Sequence, residues 1–386
     1  MADAPPTEAP ARSVAAAPGQ DVRSDVVLSD RALNRALLER QLLLCRQPIG
    51  VSDALEHLVG LQAQNPIGPY FGLWSRLAGF HPEDLASRID RRVVVRIALM
   101  RWTLHIVTAR DCLRTRPLVQ PVMERRMRAR FGRLLGDVDL ERLVVVGRRL
   151  VEDEPRSLGD IGRLLAGEWP EQEPSVLGNA LAALAPLVHV PPRGLWGRNG
   201  RAVQTTAERW LGLALAPGGP PDELLMRYLD AFGPASVDDM RTWSGLRGLG
   251  AAIERLRPRL RSFRDERGRE LLDVEGGLLP DPATPAPPRF LPECDNVVLS
   301  HADRSRIVSA EHRRCVTAHK TFLVDGFVHG TWRIIQGPSV TTLVITPLAR
   351  ITRKDRLALA EEGARLLAFA AGEDGDARIS VRFREP

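Results

Sequence analysis

Two glutamines one residue apart, Gln62 and Gln64, stand in the run Leu61-Gln62-Ala63-Gln64-Asn65-Pro66 and are the first candidates for chemistry. A glutamine amide offers two donors and an acceptor without charge. Such a pair suits holding a water or a polar, charge-poor ligand, and does not suit strong acid or base work. On a helix, residues two apart diverge by about 200°. At a helix exit or in an extended segment, both side chains can face one point. Pro66 pushes Asn65 out of the helical region, so the spacing predicts that an apolar helix from Val51 to Leu61 closes at the pair. Taken alone, the tripeptide fits an ordinary surface helix end equally well, and the elements around it must decide.

Those elements read as a repeated pattern. Leu33, Leu37, Leu38 and Leu42 recur at helical spacing, with Ser29 or Asp30 as cap. A second helix leads to the glutamines, Tyr70 to Leu77 supplies another turn, and Pro82 opens a helix to Ile89. The period then changes to two over Val93 to Leu99 and Thr103 to Val107, a β-hairpin. Helices near Glu141–Glu152, Ser157–Ala166 and Ser175–Leu184 precede a strand at Leu187–Val190. A hairpin over Gly194–Thr206 is expected to turn at Asn199-Gly200, a pair that favours type I′. Asp222–Phe232, Ser236–Trp243 and Gly248–Leu256 again read as helices, followed by a hairpin around Asp265-Glu266-Arg267-Gly268. Helices followed by a hairpin make a winged-helix pattern, repeated here without repetition of letters.

The fold class expected is therefore α+β: three tandem winged-helix domains with a C-terminal mixed α/β segment. Residues 1–27 read as a disordered Ala/Pro-rich tail. The domains are placed at 28–130, 131–217 and 218–277, with a five-proline linker at 278–290 and the α+β region at 291–386. In that last region, strands are expected at Thr321–Val324, Phe327–Ile335, Val340–Thr346 and Ile379–Phe383, with a helix at Lys354–Ala370.

Composition bounds the function loosely. The chain has 386 residues, 44% apolar, and a net charge of +6. No apolar run approaches the ~18–20 residues that span a bilayer. Cys45, Cys112, Cys294 and Cys315 are scattered, with no zinc, iron–sulfur or disulfide spacing, which fits a reducing, cytoplasmic setting. The basic balance is compatible with nucleic acid, but arginine dominates it so heavily that GC-rich coding accounts for much of it; Lys320 and Lys354 are the only lysines. Phosphate-binding loops, nucleophile elbows, HExxH and dinucleotide glycine fingerprints are absent from the sequence.

The run Gly60-Leu61-Gln62-Ala63-Gln64 and the block Met100-Arg101-Trp102-Thr103-Leu104-His105-Ile106-Val107 resemble the AlkZ-like family of DNA glycosylases. So do Asp295-Asn296-Val297-Val298-Leu299-Ser300-His301-Ala302-Asp303-Arg304-Ser305-Arg306 and Leu323-Val324-Asp325-Gly326-Phe327-Val328-His329-Gly330-Thr331-Trp332-Arg333, in the same order. The resemblance spans about Leu28 to Phe383. It implies tandem winged helices around a concave DNA-binding surface, with the family's Gln–apolar–Gln signature on Gln62 and Gln64 as catalytic residues. The YcaQ-like branch has Asp at the second position, so Gln64 points to the AlkZ branch, many of whose members resemble self-resistance enzymes of genotoxin producers. Trp102 departs from the small residue usual at its place. The implied activity is monofunctional hydrolysis of bulky N7-alkylguanine from double-stranded DNA, by a monomer without metal or organic cofactor. A non-catalytic winged-helix DNA-binding regulator is the rival reading.

Further candidates for DNA contact are Asn65, Arg96 and Arg101 around the first hairpin, Arg198 and Asn199 at the second wing tip, and His301, Arg304, Arg306 and Arg333 in the later blocks. His105, on a strand, reads as a packed core histidine or a DNA contact. Strand cleavage by a lyase needs an amine that forms a Schiff base with the sugar. Neither Lys320 nor Lys354 lies in the block with the glutamines. Borohydride added during turnover on an alkylated duplex is therefore expected to trap no covalent protein–DNA species; a trapped band lost in Lys320→Ala or Lys354→Ala would refute this.

Overall fold

The computed structural model describes residues 26–313, 319–337, 340–371 and 378–384. All but the last two residues of the expected tail, and Cys315, lie outside them. A short strand β1 (Val27–Leu28) precedes α1 (Asp30–Arg40), which Ser29 caps by accepting from the Ala32 amide at 3.1 Å. Next come α2 (Val51–His57), β2 (Leu61–Gln62), α3 (Gly68–Trp74) and α4 (Pro82–Asp90), then a hairpin of β3 (Val94–Ala98) and β4 (Leu104–Thr108). A second stretch holds α5 (Ala109–Leu135), α6 (Leu140–Asp153), β5 (Arg156–Ser157), α7 (Leu158–Leu165), α8 (Pro174–Leu184), the hairpin β6 (Leu187–His189) and β7 (Val203–Thr206), and α9 (Ala207–Leu211). A third holds α10 (Asp222–Phe232), α11 (Val237–Ser244), α12 (Gly250–Leu256) and the hairpin β8 (Leu260–Asp265) and β9 (Glu270–Val274). After a proline-rich connection follow β10 (Arg289–Leu291), α13 (Asn296–Leu299), β11 (Thr321–Val324), β12 (Phe327–Gln336), β13 (Val340–Pro347), α14 (Arg353–Ala371) and β14 (Arg378–Phe383).

The first two hairpins are not separate wings. β3 pairs antiparallel with β6, Arg96 opposite His189 and Ile97 opposite Val188, which fuses them into one six-stranded sheet of order β2-β4-β3-β6-β7-β5. The third hairpin forms its own sheet, with β1 added parallel to β8. The C-terminal strands make a sheet of order β10-β11-β12-β13-β14, packed on α14.

Two expectations are corrected, and one helix was not foreseen. The second helix stops at His57, because Val59 (φ 54°) and Gly60 (φ 82°) turn the chain through the left-handed region before β2. A Cβ on Gly60 would lie 2.5 Å from Val107 Cγ1, so the turn needs glycine. The glutamine pair therefore leaves a turn as extended chain, the second of the two conformations that let both side chains act together. Asn199-Gly200 makes no type I′ turn, since neither residue has the positive φ that turn requires. Residues 190–202 instead form a long loop pinned by Trp196, whose ring sits 5.1 Å from Tyr70 and 5.2 Å from Phe369. Finally, α5 contains Pro117 and Pro121, which hide it from periodicity reasoning. It survives because Val119, Val122, Met123 and Met127 are fully buried, and because it packs along α8.

Buried arginines tie the segments together. Arg40 pairs with Asp273 at 2.7 Å, joining α1 to β9. Arg76 meets Asp295 through two bonds of 2.9 and 2.7 Å, with both side chains fully buried. Asn296, next to it, donates to the Gly60 carbonyl at 2.9 Å and so holds the turn before β2 from behind. Breaking a buried pair strands its partner's charge at a cost of about 3–5 kcal/mol. Asp295→Ala is expected to lower the unfolding free energy by about that amount in urea titration; a change within error would show that Arg76 finds another acceptor.

Candidate active site

Gln62 ends the edge strand of the six-stranded sheet, opposite His105, and Gln64 lies in the bend just beyond it. The ladder continues one residue further, the Ala63 amide donating to the Leu104 carbonyl at 2.7 Å. Arg101 and the Leu104 amide, both of the β3–β4 hairpin, engage the two glutamine side chains, while Ala63 between them is buried. Gln62 is half-buried and Gln64 exposed.

Three groups fix this segment. Arg96 reaches under it and donates from Nε to the Ala63 carbonyl (2.8 Å) and from Nη2 to the Gln64 carbonyl (3.2 Å). Its guanidinium is buried, which pushes its pKa down to about 10 with help from the charge of Arg193. Among the described residues its Nη1 has no partner. Arg101 donates from Nη2 to Gln62 Oε1 at 2.9 Å and from Nη1 to the Trp243 carbonyl. An arginine can only donate, so this bond decides which way the Gln62 amide faces. Oε1 turns towards Arg101, keeping one lone pair, and both Nε2 protons are left for a ligand. Gln64 is held more loosely: its Oε1 accepts from the Leu104 amide at 3.5 Å.

Arg101 adopts φ 57° and Trp102 φ 56°, a region that disfavours large side chains. A small residue such as glycine would sit there without strain, which gives a physical reason for the small residue expected at Trp102's place. Burial, then the charges of Arg126 and Arg304, pushes the Arg101 guanidinium down to about 10, so it stays cationic at neutral pH. His105 is buried and its Nδ1 lies 2.8 Å from the Thr103 carbonyl, which makes Nδ1 the donor. Burial, with Arg101 nearby, lowers its pKa to about 3. It is a neutral core histidine, the first of its two readings.

The remaining candidates divide by exposure. Asn65 is exposed, and its Oδ1 accepts from the Ile67 amide at 3.0 Å, turning the chain out of the motif. Arg198 and Asn199 are exposed on the pinned loop, and Arg333 is exposed on β12. Arg304 is half-buried. His301 and Arg306 do not fit the expected role as DNA contacts. His301 is 2% exposed, lies 3.1 Å from the Phe232 carbonyl and is pushed down to about 3 by burial. Arg306 is 3% exposed and donates to the Pro234 carbonyl at 2.8 Å. Both brace α10 and α11 from within. Arg96, 7% exposed, is likewise a clamp on the motif's backbone, where a phosphate contact was expected.

Two clefts lie in this part of the molecule, and the second is lined by Gln64. One, of about 620 Å³, is walled by Arg125, Arg126, Arg241 and Arg247 and by the Gly245–Gly248 turn, with no acidic residue in its lining. Arg125 donates to the Gly245 carbonyl at 2.6 Å, next to the Trp243 carbonyl that Arg101 holds. These arginines were missed in the sequence, although the run Arg125-Arg126-Met127-Arg128-Ala129-Arg130 carries the signal. The other cleft, of about 440 Å³, opens beside Gln64 between the β3–β4 tip and α8.

Gln62, held by Arg101, and the more loosely held Gln64 thus form a neutral amide pair, and the acid-free cationic cleft near the α11 end of the Arg101 bridge suits contact with a polyanion. A family model described as "DNA glycosylase AlkZ-like" matches residues 55–369. The chain belongs to the AlkZ-like family of DNA glycosylases. It is similar in structure to the Streptomyces sahachiroi DNA glycosylase AlkZ, with a TM-score of 0.74 and 20% sequence identity over 93% of this chain and all of that one. Comparison with curated proteins gives no match. This glycosylase thus acts on DNA, and it has an α+β fold matching that of AlkZ. No helix among the described residues is long and apolar enough to cross a membrane.

The Arg101 bond has a testable consequence for the glycosylase. Misplacing a reacting group by about 1 Å can cost ~10²-fold in rate. Arg101→Lys keeps the charge but cannot span Gln62 and Trp243 together. It is expected to slow single-turnover base release by roughly 10–100-fold while duplex affinity stays near that of the wild type. Equal loss of both would make Arg101 a binding residue instead.

Proposed function

We propose that this glycosylase is monofunctional and hydrolyses the N-glycosidic bond of guanines alkylated at N7, bulky adducts included, using Gln62 and Gln64 on a surface built from three tandem winged-helix modules. The observation that carries this reading is the chemistry of the pair: two neutral amides at the end of an edge strand, both engaged by the β3–β4 hairpin, with no carboxylate bonded to either amide among the described residues. Alkylation at N7 puts a positive charge on the base. When the C1′–N9 bond breaks, its electron pair flows into the purine and neutralises that charge, so the base leaves without an acid. The sugar is left as an oxocarbenium ion. Water adds through oxygen to C1′ and loses its proton to solvent, which needs no strong base.

What remains for the protein is placement and electrostatics. Amide oxygens facing C1′ favour the developing cation and can accept a hydrogen bond from the incoming water. Gln62 has one Oε1 lone pair left for this, and Gln64 is free to rotate. Arg125, Arg126 and Arg247 hold phosphates in the cationic cleft, and the exposed Arg198 and Asn199 offer further contacts to the duplex. An unalkylated purine would need protonation on leaving, and the pair offers no acid for it. Excision of bulky N7 adducts is the activity expected of a self-resistance enzyme in a cell that makes a DNA-alkylating compound.

Gln62→Ala and Gln64→Ala are each expected to slow release of N7-alkylguanine by roughly 10²–10³ in single-turnover assays, with duplex binding nearly intact. Unchanged rates in both would remove the pair from the mechanism. No release by the wild type from any alkylated duplex, alongside tight sequence-specific binding, would favour a regulator.

A further inference from the structure

The two clefts differ in charge, and that difference separates their ligands. The cleft at Arg125, Arg126 and Arg247 is cationic. The one that opens at Gln64 is lined by Trp102, Leu104, Leu158 and Leu187, with Arg130 as its one charged side chain. Its polar lining is otherwise neutral: Ser157, Asn179, His189 and Gln204. His189 is kept uncharged by burial and by Arg96 and Arg193, its pKa lowered to about 3, and its Nδ1 has no partner among the described residues. Phosphates prefer the first cleft. The second suits an uncharged group with a flat apolar surface and a few hydrogen-bonding atoms.

Resting on the activity proposed above, we propose that this second cleft is the subsite for the substituent carried on N7 of the damaged guanine, and that it takes a planar, uncharged, aromatic one. Gln64 stands at its mouth, so a base presented to the amide pair has its adduct at the opening. A cavity of about 150 Å³ holds benzene, so a space of about 440 Å³ admits roughly two or three fused rings. That is within the ~300–1,000 Å³ of small-molecule sites. Trp102 supplies the stacking wall. Its indole is steadied edge-on by Phe131, at 6.4 Å and 84°. The wall opposite comes from α8 and β6, elements that reach the glutamine strand only because β3 and β6 are paired. The site is thus shared between the first and second segments.

The test compares two duplexes, one carrying N7-methylguanine and one carrying the N7-guanine adduct of styrene oxide, whose phenyl group probes the cleft. Ala202→Phe and Ala182→Phe each fill it from a different element, away from the glutamines, so a folding failure in one leaves the other. Each variant is expected to lose roughly 10–200-fold in kcat/KM on the phenyl adduct and to keep wild-type activity on N7-methylguanine. If folded variants act on the phenyl adduct as the wild type does, or lose both substrates equally, the subsite is wrong while the proposed activity stands. If the wild type releases neither base, the proposed activity fails and the subsite falls with it.

Discussion

Two ladder positions fix little on their own, so the segment that carries Gln62 and Gln64 is only as well placed as the groups that reach it from outside. Arg96 holds its backbone from below, Asn296 holds the turn that leads into it, and Arg101 holds one of its side chains. They come from the first hairpin and from the C-terminal region, with α11 holding the hairpin tip. Arg96 lies on β3, Arg101 in the hairpin tip anchored to the end of α11, and Asn296 in the C-terminal region. The amide pair is therefore where the first segment meets the third and the C-terminal region, and its geometry reports on how these are packed.

Carrying so many buried guanidinium groups is costly unless each is matched. The structure meets that demand in two ways. Arg40 and Arg76 face buried carboxylates. Arg96 and Arg101 are satisfied mainly by carbonyls, with no carboxylate bonded to them among the described residues, and Arg306 by a carbonyl with the charge of Asp239 nearby. Guanidinium suits this use, because its fork of donors can bridge two acceptors at once. Arginine abundance, which in the composition looks like a coding bias, is put to structural use at these positions.

Most of the regular structure was legible in the sequence because it is local. The cap at Ser29, the β-period at Val94–Ala98, and the helix at Asp222–Phe232 follow from spacing and side-chain chemistry alone. The glutamine pair was legible from its spacing and its companion blocks. What could not be read depended on contacts between distant residues. α5 keeps two prolines because its apolar face is buried against α8. The Asn199-Gly200 turn yields to Trp196, which docks the loop on Tyr70 and Phe71. His301 and Arg306 look like a polar loop until Phe232 and Pro234 supply their acceptors. The basic cleft escaped because its arginines come from α5 and from the turn after α11, more than a hundred positions apart.

The seam between β3 and β6 gives this molecule a mechanical character. Backbone bonds across the sheet, backed by the packing of α5 on α8, resist the opening and closing on a duplex that jaws joined by a flexible linker would allow. Whatever adjustment recognition demands falls on the nucleic acid, whose bending and unstacking cost a few kcal/mol and depend on local stiffness. A helix already weakened by a lesion yields more readily than an intact one. A stiff reader of this kind can sort damaged from sound DNA by compliance, before any atom of the base is examined.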